Sequence, residues 1–501
     1  MIRCLVCSFF AFYALLCSVR VVAQGIKLPA HYTAEAGVFA TSARQTPFWL
    51  RTNQYGIVPV SPSALTLRLS AYADYDTARK HRFDYGYGLS AVANAVGTNQ
   101  VLLPEAYVKL RYRAFEVYGG RRREVFGLTD STLSTGAYSW SGNSLPVPKI
   151  QIGIPAFTPV PFTKKWVSVM GQYAHGWLGG TYVEHAMLHQ KSLYLRVGKP
   201  AGRVQVSGGF NHQVIWGGYS PELAKTLLSN GPYLPASFRD YAYVVTGYRA
   251  GGTEDRTDGL TSFDYANRVG NHLGSIDLAV DVRLNKLSLF AYRQSIFDDG
   301  SLFYLTNVAD GLHGLRIRLP KPDALVHDLV LEFLNTGSQG GVLFSYEGGG
   351  ANRGNDNYFN HGQFRDGWAY QGQTIGTPFI TPQRGSSGQI PFGTFTDNNR
   401  VRVFHVGASG TLPRFGSPLF VQKPTYQAKV SYSQNLGLYS APFVPVKPQF
   451  SGIVTVLAPV KLLNGAVLMA SVSADAGQLY PASVGGYIGI RKVWQSTLPS
   501  R

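Results

Sequence analysis

The sequence predicts an all-β fold, a closed antiparallel transmembrane β-barrel. Three observations carry that expectation. Beyond residue 23 no continuous apolar run approaches the ~18 residues that a membrane-crossing helix needs. Period-2 alternation recurs from about residue 65 to the C-terminus, between clusters of Gly, Pro, Asn and Asp. The polar face of those segments carries charges of both signs on strand after strand, where a small soluble barrel fills its interior with apolar side chains.

Residues 1–23 read as a cleaved signal peptide. Arg3 supplies the positive n-region, and Leu5 to Leu16 form an uncharged apolar h-region. Val21-Val22-Ala23 then places small residues before a cleavage that leaves Gln24 first. All three cysteines, Cys4, Cys7 and Cys17, lie in this leader. The remainder, residues 24–501, is expected to be a single outer-membrane barrel domain with no disulfide and no thiolate metal site.

The first clear strand shows the pattern. Leu65, Leu67, Leu69, Ala71, Ala73 and Tyr75 share one face, and Thr66, Arg68, Ser70, Tyr72 and Asp74 share the other. Tilted about 45°, that stretch covers roughly 25 Å, the height of an outer-membrane apolar band. Val108, Leu110 and Tyr112 oppose Lys109 and Arg111, and Leu193, Leu195 and Val197 oppose Tyr194 and Arg196. Ile276, Leu278, Val280 and Val282 oppose Asp277, Asp281 and Arg283, while Leu315, Ile317 and Leu319 oppose Arg316 and Arg318. Lipid on the apolar side makes Arg68, Lys109, Arg111, Arg196, Asp277, Asp281, Arg283, Arg316 and Arg318 the expected lumen-facing set. Backbone groups in lipid must all be paired, so the sheet has to close.

Composition agrees. Gly numbers 56 and Tyr 30, and charged residues are only 15% of the chain, against about 25% in soluble domains. The formal net charge is +18. For an exported chain that field suits an anionic glycan or the phosphates of lipopolysaccharide, and nucleic acid is not an expected partner.

One segment breaks the alternation. From Gly337 to Arg400 the chain is rich in Gly, Asn, Gln and aromatics, and a loop this long in a compact fold is commonly functional. It is expected to cap or plug the lumen. Sugars need aromatic faces for their C–H surfaces, amides or carboxylates for their hydroxyls, and cations where they are acidic. Arg353, Asn355, Asp356, Tyr358, His361, Arg365, Trp368 and Tyr370, with Trp140 from another loop, meet that demand and are the candidate glycan-binding residues. An equally open reading makes the aromatics plug packing.

Signatures of catalysis are missing: there is no G-x-S-x-G, no HExxH and no GK[ST] loop. His185 and His189 have a zinc-like spacing but run into a strand, and Asp298-Asp299-Gly300 reads as a turn. No catalytic residue, metal or cofactor is expected. Arg121, Arg122 and Arg123 read either as an electropositive rim or as a turn with one arginine paired to Glu124 or Asp130.

Several stretches together resemble the capsule assembly protein Wzi family. They are "PFWLRTNQYGIVP" (Pro47 to Pro59), "SGNSLPVPKIQIGIPAFTPVPFT" (Ser141 to Thr163) and "HQKSLYLRVGKP" with "GGFNHQVIWGG" (His189 to Gly218). "GNHLGSIDLAVDV", "YRQSIFDDG", "DGLHGLRIRL" and "NDNYFNHGQFRDGWAYQGQTIGTPF" follow in order. The resemblance runs from about residue 33 to 494. It implies an outer-membrane barrel of about 18 strands that acts as a lectin, tethering capsular polysaccharide at the cell surface without catalysis. The best-known type of member carries a periplasmic helical bundle, and no amphipathic helix is expected between Gln24 and Ser63. The resulting expectation is a monomeric outer-membrane protein binding capsular or related surface polysaccharide, anionic in character, amid lipid and lipopolysaccharide. The alternatives are a porin-like channel for anionic solutes and an exported glycan-processing enzyme.

Overall fold

The computed structural model describes residues 30–60, 63–75, 82–95, 99–250, 260–298, 300–344, 354–382, 394–413, 420–461 and 464–495. The expected leader, its cleavage point and Arg353 lie outside them.

Eighteen strands form one sheet. They are β1 (Ala30–Thr41), β2 (Ala64–Ala73), β3 (Phe83–Ala95), β4 (Gln100–Tyr112), β5 (Phe115–Arg121), β6 (Lys149–Pro159), β7 (Val167–Trp177), β8 (Met187–Val197) and β9 (Val204–Trp216). Then come β10 (Asn271–Arg283), β11 (Ser288–Phe297), β12 (Gly311–Arg318) and β13 (Asp328–Asn335). The short pair β14 (Ala369–Tyr370) and β15 (Gln373–Thr374) stands apart from the sheet. The wall resumes with β16 (Val401–Thr411), β17 (Thr425–Gly437), β18 (Pro442–Pro459), β19 (Val467–Gly477) and β20 (Ser483–Gln495). Each wall strand pairs antiparallel with its neighbours in sequence, and β1 pairs with β20, so no edge remains. The seam is reinforced from inside. Buried Glu35 on β1 accepts from Arg68 on β2 at 3.0 Å and from Arg491 on β20 at 2.7 Å, and Tyr487 donates to it at 2.5 Å.

Alternation sets the two faces. On β10, Ile276 and Leu278 are 49% and 61% exposed while Leu273, Ser275 and Asp277 are buried. Leu195, Val206, Val472 and Ile488 are exposed on the same outer side of their strands. An apolar outer wall around a polar interior is the signature of a membrane barrel.

Successive strands reverse direction, so the described parts of the connections within 42–63, 122–148, 217–270, 298–310 and 336–400 all lie at one end. The other end carries short turns such as 284–287, together with the start of β1 and the end of β20. Long loops mark the extracellular end and short turns the periplasmic one.

Three of the long connections turn inward. In the first, the four-residue helix Phe48–Arg51 drops Trp49 onto the β17 wall, where its indole donates to Ser431 at 3.1 Å, and Asp475 accepts from the Phe48 amide at 2.8 Å. In the second, wall carboxylates take loop amides: Asp277 from Leu128 at 2.8 Å and Glu332 from Thr135 at 2.6 Å. The third, within 354–382, is bonded to the second: Ser141 donates to the Gly376 carbonyl at 2.6 Å and Asn143 to the Thr374 carbonyl at 3.0 Å. A 29-residue piece of the expected loop is thus only part of the plug, and the run of Ser, Pro and Gly around Ser141 supplies another part. The fourth long connection behaves differently. Its helix Phe238–Thr246, closed by a Ser237/Asp240 capping box and by Gly247 at φ 67, packs on the outside of β7–β10. Tyr241 contacts Tyr173 through their hydroxyls at 2.8 Å, Lys191 donates to the Val245 carbonyl, and Val244 is buried with Val214 and Trp216.

Candidate functional site

At the loop end, three connections meet around a cavity of about 180 Å³. From 217–270 and the start of β10 come Phe263, Asn267, Arg268, Asn271 and His272. Asp298 comes from the β11–β12 connection, and Phe344, Asn355, Asp356, Asn357, Asn360 and His361 come from the long loop. The local folding that positions them is hydrogen-bonded throughout. The helix Ser262–Ala266 begins in a capping box between Thr261 and Asp264, and Gln363 donates to Asp264 and to the Leu228 carbonyl, both at 2.9 Å. Asp356 accepts from Ser301 and from Asn307. Asn357 accepts from Asn360 at 3.0 Å and from Asn399 at 2.9 Å. Asn355, in the left-handed region at φ 53, carries an exposed amide at the rim, a conformation that asparagine tolerates better than most residues.

His361 packs edge-on against Phe263 with ring centroids 5.5 Å apart, and its Nδ1 accepts from the amides of Gln363 and Phe364 at 3.3 Å. Burial pushes its imidazole down to about 4, so it is a neutral acceptor at neutral pH. Asp310, immediately before β12, is driven the opposite way by burial, which raises its carboxyl against the pull of donors from Ser338, Gln339 and Tyr358.

The structure separates the expected glycan-binding set. Asn355, Asp356 and His361 line the cavity. Trp368, Tyr358, Tyr370 and Trp140 are 0%, 0%, 4% and 6% exposed and belong to one buried cluster inside the barrel. Trp368 donates to the Ser139 carbonyl at 2.8 Å, Tyr358 to Asp310 at 2.9 Å, and Tyr370 accepts from Arg121 at 2.8 Å. Their ring faces are taken up by packing, so they present no face to a sugar. Arg365 lies over the Tyr182 ring at 5.1 Å and donates to the carbonyl of Gly362 at 3.3 Å, so it backs the cavity lining rather than forming part of it. Sequence reasoning missed Phe263, Asn267, Arg268, Asn271 and His272. Their signal was present as an amide- and arginine-bearing run beside aromatics, "FDYANRVGNH", but nothing local joins it to a loop 80–90 residues away.

Within the lumen, Lys109 pairs with Asp74 at 2.6 Å and Arg111 with Asp84 at 3.0 Å. Arg316 pairs with Asp130 and Asp328, and Arg318 with Asp328. Asp277 is fully buried under the plug. The arginine run forms no rim: Arg122 pairs with Glu116 at 2.5 Å and Arg123 with Glu105 at 3.4 Å, rather than with Glu124 or Asp130.

The barrel is similar in fold to Wzi of Escherichia coli, described as an outer membrane protein involved in group 1 capsule assembly and a carbohydrate-binding β-barrel. The two share 13% identity over 92% of this chain and 84% of that one, with a TM-score of 0.55. OpdK of Pseudomonas aeruginosa with vanillate (10% identity, 93% and 99% covered, TM-score 0.46) and OccK5 of the same organism (6%, 94% and 98%, 0.44) are also similar. No curated protein sequence matches. The model of the capsule assembly protein Wzi family matches residues 35–381, well over half of the sequence, and the chain belongs to that family.

Proposed function

We propose that this chain sits in the outer membrane and binds a surface polysaccharide, capsular or related, non-covalently at the loop end of its barrel, helping to hold or assemble that polymer at the cell surface. The observation that carries the reading is the cavity between the three loops. It combines amides, carboxylates and an imidazole for sugar hydroxyls, Arg268 for an acidic group, and Phe263 and Phe344 as apolar faces. Family membership and the carbohydrate binding ascribed to the barrel of similar fold support it. A porin-like channel is disfavoured by the plug, whose loop amides are bonded to Asp277 and Glu332 on the wall.

The test is polymer retention on cells and binding by the purified protein after Phe344→Ala with Asn355→Gly. Glycine keeps the positive φ of Asn355 while removing its amide. Retention and affinity should fall about tenfold or more, a loss of roughly 1.4 kcal/mol. Unchanged binding by a correctly inserted variant would sink the reading.

A further inference from the structure

We propose that the periplasmic mouth of the barrel holds a second binding site, for an oxyanion (a carboxylate or a phosphate group), on the opposite side of the plug from the loop-end cavity. Inward-facing residues near the periplasmic ends of β8, β10, β11 and β12 line a cavity of about 310 Å³, with Arg196, Arg283, Arg316 and Arg318 converging on it. The carboxylates present do not match these four guanidinium groups. Asp328 accepts from both Arg316 Nε at 3.0 Å and Arg318 Nε at 2.7 Å, and His327 Nδ1 lies 3.0 Å from it as well. Asp130, reaching down from the plug, takes Arg316 at 3.2 Å. Asp281 stands 4.0 Å from Arg283, whose Nη1 donates instead to the Pro200 carbonyl at 2.7 Å.

Arg196 has no carboxylate within 4.0 Å among the described residues. Its guanidinium lies over the Phe157 ring at 3.8 Å, and Nε donates to Ser207 at 2.9 Å. An aromatic face and a hydroxyl orient the group, and Asp281, the cavity carboxylate whose charge reaches it, also faces Arg283, which leaves a preorganised and only partly neutralised cationic fork. Carboxylate and phosphate oxygens match that fork in bidentate geometry. The cavity is open to solvent, since the side chains of Arg283 and Arg318 are 48% and 55% exposed. Such a site would receive an acidic sugar residue or a phosphorylated glycolipid headgroup presented from the periplasm. The plug separates it from the polysaccharide cavity, so it stands independently of that assignment.

The experiment uses the full chain in detergent, titrated calorimetrically with trigalacturonate, pyrophosphate and neutral maltotriose, and compares it with the Arg196→Gln/Arg283→Gln double variant. At least one anionic probe should bind, and its affinity should fall about tenfold or more in the variant while any maltotriose response is unchanged. Trigalacturonate binding would identify acidic sugar as the source, and pyrophosphate binding the phosphorylated headgroup. Failure of both anions to bind, or equal binding by wild type and variant, overturns the proposal. Heat-modifiable migration on unboiled gels verifies folding. Should the double variant misfold, Arg283→Gln alone, at a half-exposed side chain, carries the same comparison.

Discussion

The indole N–H of Trp368 donates to the carbonyl of Ser139 across 2.8 Å, tying together two loops that lie 229 residues apart in sequence. Both loops sit inside the barrel, so this bond belongs to the plug and not to the wall. Trp368→Ala should therefore loosen the plug by about 3–5 kcal/mol, the usual loss for a buried Trp truncation, while the strand ladder still closes. The expected result is heat-modifiable, membrane-inserted protein that shows open conductance in planar bilayers. Conductance as low as that of the unmodified protein would mean the remaining contacts seal the lumen without Trp368.

Glu35 is the common acceptor of Arg68, Arg491 and Tyr487 where the first strand meets the last. Removing it leaves two guanidinium groups facing each other in a mostly buried site. Glu35→Ala should cost about 3–5 kcal/mol, as expected when one partner of a buried ion pair is lost. Denaturant unfolding of barrel refolded into lipid vesicles measures it, and a shift below 1 kcal/mol would show that the backbone ladder alone holds the seam.

Leu278 points outward near the middle of β10 and is 61% exposed. Leu278→Arg should lower folding stability in lipid by about 2–4 kcal/mol, whereas Leu284→Arg, just past the periplasmic end of the same strand, should cost about 0–1 kcal/mol. Equal losses at the two positions would contradict the placement of the membrane band.

Acidification should loosen the loop-end cavity through His361. Its folded pKa, about 4, lies below the ordinary value of 6.5, so the folded state holds the neutral ring. The stability this represents is present above the ordinary value and is lost as pH falls from 6.5 toward about 4. Asp310 and Asp264, whose carboxyls burial raises, act in the opposite direction, because their uptake of protons favours the folded form on acidification. Proteolysis of the loops at pH 7 and pH 5 should show greater cleavage at the lower pH, and His361→Gln should flatten that difference. An unchanged pH difference in His361→Gln would assign the effect to other groups.

The wall was legible in the residues because its code is local. Leu65, Leu67 and Leu69 against Arg68 and Ser70, or Ile276 and Leu278 against Asp277, state which side faces lipid. Every such segment then needs a hydrogen-bonded neighbour on both sides. The loops follow no comparable rule. Asp277 reads the same in sequence whether it lines a water-filled lumen or accepts the Leu128 amide, and Glu332 looks no different for holding Thr135. For that reason 122–148 was not recognised as plug, and the helix Phe238–Thr246 was not foreseen on the outer wall.

Sequence by itself determined the alternation, the closed sheet and the charge of its interior, since period-2 burial in lipid permits no other arrangement. Only the tertiary structure decided which loops fold inward, that Trp368 and Tyr358 pack rather than face solvent, and that Asn355 meets Phe263 and Arg268. Those outcomes depend on contacts between residues tens to hundreds of positions apart, whose partners no local pattern names.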